Sequence, residues 1–111
     1  MELTEEVHGR VVVVTARGRL DQSASAAFGA QLEKLAAASQ PRLLIDFAGV
    51  DYVSSAGLRA VLALLKRVKA ANGTFALCAV QPPVQEVLEI TGFAGMLEIH
   101  AERRAAIAAL A

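Results

Sequence analysis

The chain has 111 residues, 55% of them hydrophobic, with equal numbers of acidic and basic side chains. That length suits a single domain spanning residues 1–111 and is too short for two of ordinary size, while the apolar content excludes an intrinsically disordered chain. The zero net charge argues against a nucleic-acid binder with a broad basic face, and the one cysteine, Cys78, cannot form an internal disulfide.

The first residues, Met1 to Glu6, are acidic and do not read as a secretory signal. Leu3 to Val7 reads as an edge strand, joined through His8-Gly9 to a β-branched run from Val11 to Ala16. Phe28, Leu32 and Leu35 recur at helical spacing within Ser23 to Ala38. Arg42 to Phe47, opening after Pro41, reads as a short central strand that ends near Asp46. A loop with the carboxylates of Asp46 and Asp51 follows, and then a helix over Gly57 to Ala71. Thr74 to Val80 reads as a strand between Asn72-Gly73 and Pro82-Pro83. Pro83 suits the first turn of a helix that stops at Gly92. Leu97 to Ile99 reads as a last short strand, and Glu102 to Leu110 as a final amphipathic helix.

Strands separated by helices pair in parallel through right-handed crossovers. The expected fold is therefore α/β, with a small mixed, mostly parallel sheet of four to five strands and about four helices. No apolar run approaches the roughly 18 residues of a membrane span, so a cytoplasmic domain is expected. In the helix after Gly57, the residues Leu58, Val61, Leu62, Leu64, Leu65 and Val68 form one apolar arc at 3.6 residues per turn. Leu62 and Leu65 are expected to pack on Leu44 and Val13 or their strand neighbours. Arg59, Ala60, Ala63 and Arg67 fall on the opposite side. The group Lys66, Arg67, Lys69 suits a solvated helix end, where cations complement the dipole.

The chemistry concentrates between Leu44 and Arg59, where Ser54 and Ser55 stand just ahead of a helix. One reading is structural: a serine there caps the helix by accepting a bond from a free backbone N–H. A second is regulatory. A phosphate at a helix start gains from the N–H donors and the dipole, and adds about −1.5 to −2 charge. Gly57 would then let another backbone approach closely. A third, catalytic reading makes Ser55 a nucleophile. The nucleophile elbow needs glycine two residues earlier, where Val53 stands, and neither His8 nor His100 lies in a base motif. Asp46 as a phosphoacceptor is a fourth reading, but no acidic pair follows the Val11 to Ala16 run and no lysine follows Lys69. Its simpler role is to cap a turn at the strand end. Neither G-x-G-x-x-G nor G-x-x-x-x-G-K-[ST] occurs, so no nucleotide cofactor is expected.

The stretch Asp46-Phe-Ala-Gly-Val-Asp-Tyr-Val-Ser-Ser-Ala-Gly-Leu-Arg resembles the signature of STAS domains of the anti-sigma factor antagonist family. Gly18-Arg19-Leu20-Asp21 resembles the family's G-x-L-D turn, and Thr91-Gly92-Phe93 its segment after the third helix. The resemblance implies partner switching without enzymatic activity of the domain itself. The unmodified antagonist binds an anti-sigma factor that is a serine kinase. Phosphorylation of one serine with ATP releases it, and a phosphatase resets it. The family's acceptor position, two residues before the Gly-Leu pair, is Ser55 here. Ser54 occupies the place where many members carry aspartate. Asp21, Asp46, Ser54, Gly57 and Arg59 would frame the partner surface with Ser55. The resemblance also admits a second role, a docking subunit of a lipid-transporting ABC complex that is never phosphorylated.

Overall fold

The computed structural model describes all residues, 1–111. Glu2–His8 (β1) turns back through Gly9, at φ +63°, into Val11–Leu20 (β2). Then come Gln22–Ala36 (α1), Arg42–Val53 (β3), Ser55–Ala70 (α2), Thr74–Cys78 (β4) and Pro82–Ile90 (α3). A 3-10 turn at Phe93–Met96 leads to Glu98–His100 (β5) and Arg103–Leu110 (α4). The sheet order is β1-β2-β3-β4-β5, with β1 antiparallel to β2 and all other pairs parallel. This is the expected α/β fold.

Period-two alternation divides the strand residues between two cores. Val14, Ala16, Leu43, Ile45, Phe47, Phe75 and Leu77 face α1, α2 and α3, which contribute Phe28, Leu32, Leu58, Val61, Leu65, Val84 and Leu88. On the other face Val11, Val13, Leu44, Ala76 and Cys78 meet Ala106 and Leu110 of α4. The arc of α2 thus packs on the neighbours of Leu44 and Val13, because those two residues point to the α4 side. Leu65 is buried as expected, whereas Leu62 at the edge of the arc is only half-buried.

The largest departure from the expected elements is β3. It does not end at Asp46 but continues to Val53, and β2 runs beside it to Leu20. The register slips twice along this stretch, between Thr15 and Arg17 and between Gly18 and Arg19. Ala48-Gly49, which reads as a loop signal, is a strand irregularity of the kind glycine permits. A Cβ on Gly49 would stand 2.8 Å from Cγ of Arg17 and 3.1 Å from the carbonyl oxygen of Ala16. Val50 and Val53 resume the burial on the same strand.

Candidate partner-docking site at two helix starts

β2 and β3 end side by side, with Leu20 opposite Val53. The next residue of each strand caps the helix that follows it. The Asp21 carboxylate accepts bonds from the Ala24 N–H at 2.9 Å and the Ser23 hydroxyl at 2.8 Å. These bonds, the Ser23 hydroxyl first, hold its pKa below the ordinary 3.8. The Ser54 hydroxyl accepts from the Gly57 N–H at 3.1 Å, while the Ser54 N–H donates to the Leu20 carbonyl at 2.9 Å. Ser54 is therefore tied inward at both its side chain and its backbone.

Ser55 is different in kind. It is the first residue of α2, it is exposed, and its hydroxyl makes no bond within the protein. Arg59 lies four residues on, which places it on the same helix face. It too is exposed and free of any ion pair. Beside the two caps the Arg19 guanidinium stacks over the Tyr52 ring, 4.1 Å from its centroid. The surface thus combines two helix N-termini, two cationic side chains and a half-exposed aromatic ring. Such a surface suits recognition of a partner.

The STAS domain model matches residues 2–106. The chain belongs to the STAS family. Over 109 residues it is 32% identical to BtrV of Bordetella bronchiseptica, a candidate anti-sigma factor antagonist, covering 98% of this chain and 94% of that one. It is 25% identical over 101 residues to the anti-sigma F factor antagonist of Paenibacillus polymyxa, covering 90% and 86% of the two chains. A candidate anti-sigma factor antagonist from Thermotoga maritima has the same fold, with a TM-score of 0.90 at 18% identity over 97% of this chain and 93% of that one. STAS domains of this type are regulatory and non-catalytic. No helix of this one is long and apolar enough to cross a membrane.

In the STAS domain Ser54, Ser55 and Arg59 lie at the start of α2, and Asp21 caps α1 at the neighbouring strand end. Two other residues named from the sequence do not share that exposed surface. Gly57 is buried, and the backbone it admits is the chain's own: a Cβ there would stand 2.6 Å from the Leu20 carbonyl oxygen. Asp46 lies seven residues, about 20 Å, back along β3 from Val53 and faces α4. It ends no strand. Only 7% exposed, it accepts from the Ala48 N–H at 2.8 Å and from Arg103 Nε at 2.9 Å. Arg103 also reaches Thr15 and Glu6, and so pins the start of α4 to the sheet. Cys78, in register with Asp46 on β4, has its thiol pushed up to about 11, chiefly by burial and then by that carboxylate, so it is unreactive at neutral pH.

Sequence reasoning missed Arg19 and Tyr52 at the site, although both stand inside the matched motifs. Their contact depends on the β2–β3 register beyond Asp46, where Arg19 lies opposite Tyr52. Ala60 and Ala63, expected on the open side of α2, line with Gly29 of α1 a shallow groove of about 220 Å³. An Arg67–Glu33 ion pair at 2.8 Å crosses it.

The lowered pKa of Asp21 has a measurable sign. Its contribution to stability is fully present above the ordinary carboxylate value. It is lost as pH falls through the lower, folded value. Asparagine caps about as well as aspartate and does not titrate. Melting temperatures measured from pH 6 down to pH 2 should therefore fall less steeply for Asp21→Asn than for the wild type. Parallel curves would show that the cap charge carries no such linkage.

Proposed function

We propose that this STAS domain is an anti-sigma factor antagonist of the partner-switching kind, working in the cytoplasm. It binds an anti-sigma factor serine kinase over the start of α2, is phosphorylated on Ser55 and is then released. A phosphatase restores the binding form. The observation that carries this reading is the contrast between the two serines. The Ser54 hydroxyl is occupied as the helix cap, whereas that of Ser55 is exposed and unbonded. A phosphate on Ser55 would sit at the positive end of α2, where the helix tolerates it, and beside Arg59 at helical i+4 spacing. The domain would keep its fold while its surface changed charge.

A second reading, a docking subunit of a lipid-transporting ABC complex that is never phosphorylated, is favoured by one residue. Ser54 stands where a phosphorylated member commonly has aspartate, a carboxylate that would help to orient the kinase or the acceptor hydroxyl. Incubation of wild type, Ser54→Ala, Ser55→Ala and Ser54→Asp with the cognate kinase and ATP, followed by site mapping by fragment mass, separates the readings. Phosphate is expected on Ser55 in the wild type, absent in Ser55→Ala and added faster in Ser54→Asp, which retains a capping oxygen. Phosphate kept in Ser55→Ala but lost in Ser54→Ala would reverse the assignment. Binding of the kinase with no phosphate on any variant would favour the docking role.

A further inference from the structure

β1 stands at the edge of the sheet and is paired on one side only. Its hairpin turn is the two-residue Gly9-Arg10, with Gly9 at φ +63°, so His8 and Val11 form a hydrogen-bonded pair. Bonded and open pairs alternate from there along an antiparallel ladder, and the β1–β2 register carries no bulge. Glu6, Thr4 and Glu2 therefore bond to β2. The N–H and C=O groups of Leu3, Glu5 and Val7 point away from it, along a bare edge. The side chains of these same three residues stand on the α1 face of the sheet. Leu3 packs on the core there, Glu5 borders a shallow groove of about 400 Å³ beside α1, and Val7 is 72% exposed. The other wall of the groove includes Ala27, Ala30, Gln31 and Lys34, one stripe of α1 at helical spacing.

We infer that this edge pairs with the same edge of a second copy of the chain, β1 antiparallel to β1, in a two-fold dimer whose sheet runs unbroken through both protomers. Charge and shape favour a two-fold axis at Glu5. That register sets Leu3 opposite the other copy's Val7, an apolar pair that covers the exposed valine. On the α4 face it sets Glu2 opposite His8 and Glu6 opposite Thr4, each carboxylate against a group able to donate a hydrogen bond. Only Glu5 meets itself, and there Lys34 of each copy borders the groove, so two carboxylates and two ammonium groups gather about the axis. An axis at Thr4 would instead set Glu2 against Glu6, and one at Glu6 would set that carboxylate against itself. Glutamates ordinarily guard an edge strand against pairing; the Glu5 register is the one in which they are complemented. A two-fold axis perpendicular to the sheet keeps both α1 helices on one face, with the small Ala27 and Ala30 toward the junction. The Ser55 surface is not used, because α2 lies against the opposite flank of α1, by Gly29 and Glu33. Both copies keep their α2 starts open.

The test is sedimentation equilibrium of the whole chain from about 1 μM to about 1 mM, where the mass should double reversibly. Glu5→Pro removes an outward N–H without touching a bond to β2, and should weaken association by about tenfold or more while the fold melts within a few degrees of the wild type. Lys34→Glu, at an exposed helix position, should weaken it as well, and the double variant Glu5→Lys with Lys34→Glu should restore it. Glu5→Cys should give a disulfide-linked dimer on mild oxidation, since its two Cα atoms would stand about 5.5 Å apart. Glu2→Cys should not, its counterpart lying about 20 Å away along the strands. The native Cys78 is buried and stays out of the reaction. The proposal is overturned if the chain stays monomeric throughout that range, which would leave the edge to a strand of another protein. It is overturned equally if Glu5→Pro associates as tightly as the wild type, or if Glu2→Cys cross-links and Glu5→Cys does not.

Discussion

Gly57→Ala is expected to lower the melting temperature by about 10 °C, the opposite of what this change does in an open helix. In a helix interior, alanine is favoured over glycine by about 1 kcal/mol. Here the added methyl would stand 2.6 Å from the Leu20 carbonyl oxygen, 2.8 Å from Leu20 Cγ and 3.2 Å from a Val53 methyl. The first of these is backbone and cannot rotate away. Relief requires the start of α2 to lift from the end of β2, which stretches the Ser54 N–H bond to Leu20. Overpacking of this kind costs about 1–3 kcal/mol and occasionally more, so it outweighs the gain in propensity. Each kcal/mol is worth about 4–8 °C in a domain near this size. A thermal melt followed by circular dichroism checks the sign. A variant as stable as the wild type would mean that α2 does not sit this close to β2.

Ser55→Asp is expected to weaken binding of the cognate anti-sigma factor about a hundredfold while leaving the melting temperature within a few degrees of the wild type. The two halves of the expectation have different causes. Within the domain, a carboxylate at the first position of α2 complements the helix dipole and contacts nothing buried. Against a partner the same charge must be desolvated or matched, and a charge left unmatched at an interface costs several kcal/mol, of which 2.7 is a hundredfold. Isothermal titration of both proteins with the anti-sigma factor measures the first half, and a melt the second. Equal affinities would remove Ser55 from the interface. A collapsed melt with intact wild-type binding would make Ser55 a structural residue after all.

The sequence was most legible where the argument is local. The β-branched run at Val11 to Val14, the spacing of Phe28 and Leu32, and the paired serines ahead of Leu58 each carry their own pattern, and each lies in the expected element. Legibility failed where a partner is remote in the chain. Asp46 reads as a strand end because carboxylates are rare inside strands. What allows it there is Arg103, 57 residues later, which no periodicity reveals. The second half of β3 was hidden because Ala48 and Gly49 break the alternation, and only the length of the neighbouring β2 restores it. The sequence reading assigns the space at Gly57 to a partner's backbone, whereas the backbone it admits is that of Leu20. Whether the approaching backbone is foreign or the chain's own depends on how closely α2 sits on the end of β2, a tertiary quantity.

The order of strands in the sheet is the order in which they are made. Each newly synthesised strand can therefore dock on the edge left by the one before it, and no slot has to be held open for a later arrival. At ordinary ribosomal rates the chain emerges over about ten seconds, long enough for each βαβ unit to settle on its predecessor. The exception is the face beneath α4. Val11 and Val13 leave the ribosome among the first residues, and Ala106 and Leu110 that cover them leave among the last. Until then this valine face is bare and the Asp46 carboxylate lacks its guanidinium. The nascent domain thus has a sticky side for most of its synthesis, and it is on that side, rather than at the switch serine, that a ribosome-associated chaperone would find something to hold.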